Sequence, residues 1–203
     1  MSMPVIRLSA AAGATAVLVL LASCAPKEAA APPPAAASNT AVLPGALKPV
    51  ASMLDLMLDP IASNADALWN AVGSVSTPTG SKDLAPSTDA EWAAVRQKAL
   101  GLMEAANLLV VEGRVVAHPD QKLKDPPGPT DLTPAQAQAA IDKDRAAFVG
   151  FAAALQSAAG GMLAAIDKRD LEAYSTAGGT LDEVCESCHT RFWYPGAAKP
   201  PGQ

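Results

Sequence analysis

The chain has 203 residues, with 15 lysines and arginines against 20 aspartates and glutamates, a net charge of −5, and is 50% apolar but only 4% aromatic. That length suits one sizeable domain, and the acidic balance lacks the basic footprint that nucleic-acid binding needs, so nucleic acid is excluded as a partner. With 3 cysteines and 2 histidines, a disulfide scaffold and a histidine-rich metal centre are both excluded, and site chemistry must come from a small cluster.

Residues 1–23 read as a secretory signal peptide: Arg7, an uncharged run from Leu8 to Leu21, then small residues. The run falls short of the roughly 20 residues a spanning helix needs. Its end, Leu21-Ala22-Ser23-Cys24, resembles the lipobox of bacterial lipoproteins, which implies cleavage before Cys24 and acylation of its thiol. Ordinary cleavage leaving Cys24 free is the alternative. Lipidation accounts for the odd cysteine and anchors the protein in the lipid bilayer through Cys24, on the periplasmic face of the cell envelope. Arg7 is the only charge in residues 1–23, so the mature chain carries −6. Residues 24–43 form an Ala/Pro-rich linker that cannot bury a core. Residues 44–194 form the folded domain and 195–203 a flexible tail.

From Pro44 onward apolar residues recur at alternating three and four, the period of bundle helices, and no strand candidate of note appears. A first helix carries Val50, Leu54, Met57, Ile61, Leu68 and Val72 on one stripe and ends near Gly73. Pro60 inside it predicts a bend, or a restart with Asp59 as N-cap. A second opens at Thr88 with Glu91 three residues on, a capping-box spacing, and runs through Trp92, Val95, Ala99, Leu102, Ala106 and Leu109 to a stop at Gly113. A third opens at Thr133-Pro134 with Gln136, has the seam Ile141, Phe148, Ala152, Leu155, Ala159, Met162 and Ile166, and is expected to be the longest. A fourth begins near Asp170 with the seam Leu171, Tyr174, Gly178, Leu181, Cys185, Cys188 and Phe192. Gly178-Gly179 weakens it, and Thr180, three before Glu183, offers a site to recap. The expected fold is all-α, an antiparallel four-helix bundle.

Cys185-Glu186-Ser187-Cys188-His189 is a Cys-x-x-Cys-His run, the attachment pattern of c-type haem. On a helix, positions i, i+3 and i+4 share a face, so two thiols can form thioethers while the histidine beside them reaches iron. Three other readings compete. A thioredoxin-like redox pair would need a preceding strand, and zinc would need a fourth ligand such as His118 or a carboxylate. A Cys185–Cys188 disulfide in a haem-free helical lipoprotein is the third.

A helical bundle with this motif near its C-terminus resembles the cytochrome c-prime family, the class II c-type cytochromes. The resemblance spans roughly residues 44–193 and is motif-specific at 185–192. It implies one covalent haem c on Cys185 and Cys188, His189 as proximal iron ligand, Phe192 as an aromatic three residues later, and a non-enzymatic role. Where the family often has arginine or lysine four residues after the histidine, this chain has Trp193, and Arg191 is out of phase. Asp59-Pro60 with Ala65-Asp66-Ala67-Leu68-Trp69 is similar to an exported cytochrome subgroup. The resemblance also allows a homodimer through the first two helices.

In the family, the first helix supplies either a methionine, giving six-coordinate iron suited to electron transfer, or an apolar residue, leaving iron open to gases. Met57 lies on the seam where that residue falls, and Met53 is one turn earlier. Three readings stay open: Met57, Met53, or no ligand, the last with Leu54 on the apolar seam. The leading expectation is a single-electron carrier with His/Met ligation, serving redox partner proteins of the cell envelope. The alternative is a five-coordinate NO or CO sensor or scavenger. Met103 and Met162 read as core, His118 as an exposed loop residue, and Trp69 and Trp92 as core or haem-edge packing.

Overall fold

A computed structural model describes residues 48–123 and 128–196. The signal peptide, Cys24, the linker and residues 197–203 of the tail lie outside the described residues. The described chain is predominantly helical.

The first helical region is built in pieces. Ser52 and Asp55 form a reciprocal capping box that starts α1 (Met53–Leu56). A wide turn with i→i+5 character follows over Met57–Ala62, then α2 (Ser63–Trp69). The expected disruption at Pro60 is present: Asp59 has extended backbone angles (φ −160°, ψ 124°) and the Asp59–Pro60 peptide is cis. Asp59 does not cap the restart through backbone N–H groups; it accepts from the Ser63 hydroxyl at 2.5 Å. Val50, expected on the seam, is 85% exposed, because the chain is not yet helical there and Ser52 is the cap.

A hairpin was not expected, yet β1 (Gly73–Thr77) and β2 (Gly80–Leu84) pair antiparallel, with Thr77 opposite Gly80 across Pro78-Thr79. Apart from half-buried Leu84, every residue in it is exposed. A ribbon with no buried face carries no apolar alternation, so the period-2 signal that reveals a strand is missing.

The Thr88–Glu91 capping box opens α3 (Asp89–Leu109), and all six expected seam residues are buried. The helix stops at Leu109, earlier than the expected Gly113, which takes φ +79° in the turn beyond. The third region is two helices rather than one. Thr133, Pro134 and Gln136 open α4 (Pro134–Lys143) as expected, but Asp144 (φ −134°, ψ 56°) breaks the chain and caps α5 (Arg145–Lys168) by accepting from Ala147 N–H. An aspartate ahead of an apolar run is an N-cap as readily as an exposed helical residue, and here the cap wins. Every expected seam residue of α4 and α5 is buried.

Asp170 caps α6 (Leu171–Phe192), which continues through Gly178-Gly179 without recapping; the Thr180 hydroxyl donates to the Thr176 carbonyl one turn back. Gly178 sits against α2. Trp69 Nε1 donates to the Gly178 carbonyl at 3.1 Å, and Tyr174 O–H donates to the Leu68 carbonyl at 2.7 Å. Tertiary bonds thus offset the glycine penalty. Leu171 is exposed, in the first turn where the helix has yet to meet a neighbour.

α5 packs on both α3 and α6, and α2 packs on α3. Leu68, Leu102, Met162 and Leu181 are fully buried where they meet, each stabilising by about 1.5–3 kcal/mol relative to exposure. α5 is apolar and long enough to cross a membrane by composition, but eight of its residues face this core. Exposed pairs Arg96–Asp167 (2.8 Å) and Arg169–Asp89 join α5 and its C-cap to α3.

Candidate functional site

At one end of the core the helices enclose an apolar cavity of about 350 Å³, within the size range of roughly 300–1,000 Å³ typical of cofactor sites. α6 contributes Cys185, Cys188 and His189 to its wall, and the first helical region contributes Met53, Met57 and Ile61. The first region packs mainly on α3, whereas α6 packs on α5. The two touch directly where Leu68 and Trp69 meet Tyr174 and Gly178, and both line the cavity. Phe148, Phe151 and Phe192 close the base, with Phe192 edge-on to both others at 5.6 and 5.9 Å between centroids.

The motif residues are half-buried, and their environment is desolvating. Burial, helped by the charge of Asp182, pushes the Cys185 thiol up to about 11. Burial, then the neighbouring Cys185, pushes Cys188 up to about 12. The two are not joined to each other by a disulfide. Burial also pulls the His189 imidazole below its usual value, outweighing the opposing Glu186 carboxylate, so at neutral pH it is the uncharged base that a metal requires.

Beyond the motif, the chain folds back on its histidine. Trp193 and Tyr194 N–H groups both donate to the His189 carbonyl, at 2.7 and 2.9 Å. Their rings stand against the imidazole at 5.3 and 5.9 Å between centroids. Tyr194 O–H donates to Glu186 Oε2 at 2.6 Å; burial and that carboxylate raise its phenol above the usual value. Tyr194 was not singled out from sequence, although an aromatic pair one turn past a motif histidine is a readable signal. Arg191 points away, pairing with Asp144 at 2.9 Å, so no guanidinium takes the place that Trp193 occupies.

Of the two candidate methionines, Met53 is 6% exposed and Met57 is half-buried, and both line the cavity. Leu54 lines it too. His118 is exposed, its ring nitrogen donating to the Val50 carbonyl at 2.9 Å, and is absent from the wall. Among the described residues, no group of three or more His, Cys, Asp or Glu side chains is placed to hold a bare metal ion. Met162 is fully buried core and Met103 packs beside it. Trp92 is buried core, and Trp69 lines the cavity.

Two thiols and an imidazole on one helix, facing thioethers across an apolar space, are the donor set of a c-type haem, and the residues present fit that group. Residues 114–193 match the family model for cytochrome C′. Over that stretch the chain is similar to the cytochrome c′ family. Its members bind haem c covalently, and they carry electrons or bind gases rather than act as enzymes. The matched stretch runs from Arg114 to Trp193 and holds the whole attachment motif, but not the first helical region with Met53 and Met57. No curated protein and no solved structure matches the chain.

Proposed function

We propose that this cytochrome c′ relative is an exported, lipid-anchored monohaem protein that carries single electrons between partner proteins of the cell envelope. In this reading the helices form an antiparallel four-helix bundle, with the first region, α3, α4–α5 and α6 as its four members. Cys185 and Cys188 hold the haem, His189 is the proximal ligand and Met57 the sixth, with Met53 as the other candidate. Cys24 carries the acyl anchor on the periplasmic side. When bound, the haem supplies a one-electron iron couple.

The chain's own residues do the rest. Cys185 and Cys188 would hold the haem as thioethers, each S–H adding across a vinyl group so that its hydrogen passes to the vinyl carbon, and the apolar walls would keep water from the group. His189 offers a neutral nitrogen whose ring is braced by Trp193 and Tyr194. A methionine thioether from the opposite wall would raise the potential of the bound group and compete with a gas for it. The observation that carries this reading is that two methionines of the first region share a cavity with the attachment motif.

Absorption spectra of the oxidised and reduced holoprotein, followed by carbon monoxide addition, test it. A low-spin spectrum and slow carbon monoxide uptake are expected, with both lost in Met57→Ala. A Met57→Ala variant with the parent's spectrum removes Met57 and passes the role to Met53. Leu54 on the same wall favours a second reading, an open iron in an apolar pocket that captures NO or CO. Prompt, tight carbon monoxide binding by the parent protein selects that one.

A further inference from the structure

We infer that the loop from Arg114 to Gln121 is a clasp that sets the position of the sixth-ligand methionine. Arg114 and Gln121 are then positioning residues, although neither lines the cavity. The inference rests on the six-coordinate reading above.

α1 has only four residues, far below the length at which a helix holds itself together. Its downstream support is interrupted as well, since Asp59 is extended and breaks the ladder toward α2. Besides the packing of Met53, Leu56 and Ile61 into the core beside α3, the bonds that fix the segment lie upstream, and most of them come from the loop. The first helical N–H groups, which have no partner within a helix, are satisfied by loop carbonyls: Met53 N–H donates to Val115 O at 2.8 Å and Leu54 N–H to Val116 O at 2.9 Å. Gln121 Nε2 donates to Asp55 Oδ1 at 2.6 Å, on the carboxylate whose other oxygen accepts from Ser52 N–H at 2.8 Å. Arg114 donates from Nη1 to the Ala51 carbonyl and from Nε to the Leu108 carbonyl at 2.6 Å, so one guanidinium ties the segment's start to the end of α3.

The loop is itself held. Val116 N–H donates to Gln138 Oε1 on α4 at 2.8 Å, and His118 N–H donates to Gln121 Oε1 at 2.9 Å. Gln121 is therefore bonded at both ends of its amide, and Ser52, between Ala51 and Met53, is fully buried. Met53 and Met57 hang from this anchored end. Releasing the anchor lets the segment shift along the cavity wall, and a thioether that must meet a metal within a few tenths of an ångström tolerates little of that.

The test uses full-length, haem-loaded protein matured in an export-competent host, as parent, Arg114→Ala/Gln121→Ala, the milder Gln121→Ala, and Arg96→Ala as a control that breaks a salt bridge remote from the cavity. Carbon monoxide association with the reduced form, the ferric spin state and thermal unfolding are recorded. The clasp variants are expected to take up carbon monoxide about tenfold faster or more, as the ligand-bound population falls, and to gain high-spin character with haem still covalently attached. Arg96→Ala is expected to change neither. Folded clasp variants with the parent's rate and spectrum, altered only in melting temperature, overturn the clasp alone. Should the double variant fail to fold, Gln121→Ala decides on the same criteria. A parent as fast as Met53→Ala/Met57→Ala overturns the six-coordinate reading itself.

Discussion

The two walls that bear the site's sulfur and nitrogen donors are built by opposite means. α6 is uninterrupted for 22 residues, capped by Asp170 and locked by Tyr174, Leu181 and Phe192, so Cys185, Cys188 and His189 inherit their geometry from helical spacing alone. The Met53–Ala62 stretch is a four-residue helix and a wide turn, and its position depends on Val115, Val116, Arg114 and Gln121 far along the chain. Attachment is thus a local property of the chain and coordination a tertiary one. The first should survive damage to the second.

The largest expected effect breaks the local wall. Replacing Cys185 and Cys188 together by serine should abolish haem that survives denaturing electrophoresis, whereas Met57→Ala should leave that band intact; loss of the band in both variants would erase the distinction. Next, Leu181→Ala removes a fully buried side chain from α6 and should cost about 2–5 kcal/mol in denaturant unfolding. Met57→Ala, half-buried at a cavity edge, should cost clearly less while changing the spin state far more. Equal costs would mean that Met57 is ordinary core.

What could be read from the chain follows the same division. The capping boxes at Thr88 and Thr133 and the seams of α3 to α6 were legible because each is a short pattern whose energy is paid locally or by one buried face. The Cys185–His189 run was legible for the same reason. The hairpin was not, because with Leu84 as its most buried residue it has no apolar alternation to display. Asp144 fits a helix face and an N-cap equally well, and only the turn between α4 and α5 decides between them. The choice between Met53 and Met57 and the bracing role of Tyr194 rest on contacts made by other segments, which helical periodicity does not encode.

Smaller effects sharpen the picture of the scaffold. Gly150 lies exposed within α5, and an added Cβ would meet nothing within 4 Å. Gly150→Ala should therefore raise stability by about 1 kcal/mol through helix propensity, without touching the absorption spectrum. A spectral change would show that α5 is coupled to the site more tightly than its outer face suggests.

The smallest effect is a pH dependence at the start of α3. Hydrogen bonds from Ser87, then Thr88, hold the Glu91 carboxyl at about 2, below its ordinary 4.5. A depressed carboxyl contributes stability above the unfolded value and loses it as pH falls, so the loss should run from about 4.5 down to about 2. Asp55 and Asp144, also lowered by hydrogen bonds, act in the same direction. Glu91→Gln should accordingly flatten the acid limb of the stability profile without abolishing it, as read by unfolding midpoints across that range.

The most direct measurement is the intact mass of the mature, exported protein under denaturing conditions, with peptide mapping of residues 171–194. One haem added to the polypeptide, carried by the fragment containing Cys185 and Cys188, is the expected result. A polypeptide of unmodified mass, with those thiols free or joined to each other, would contradict it.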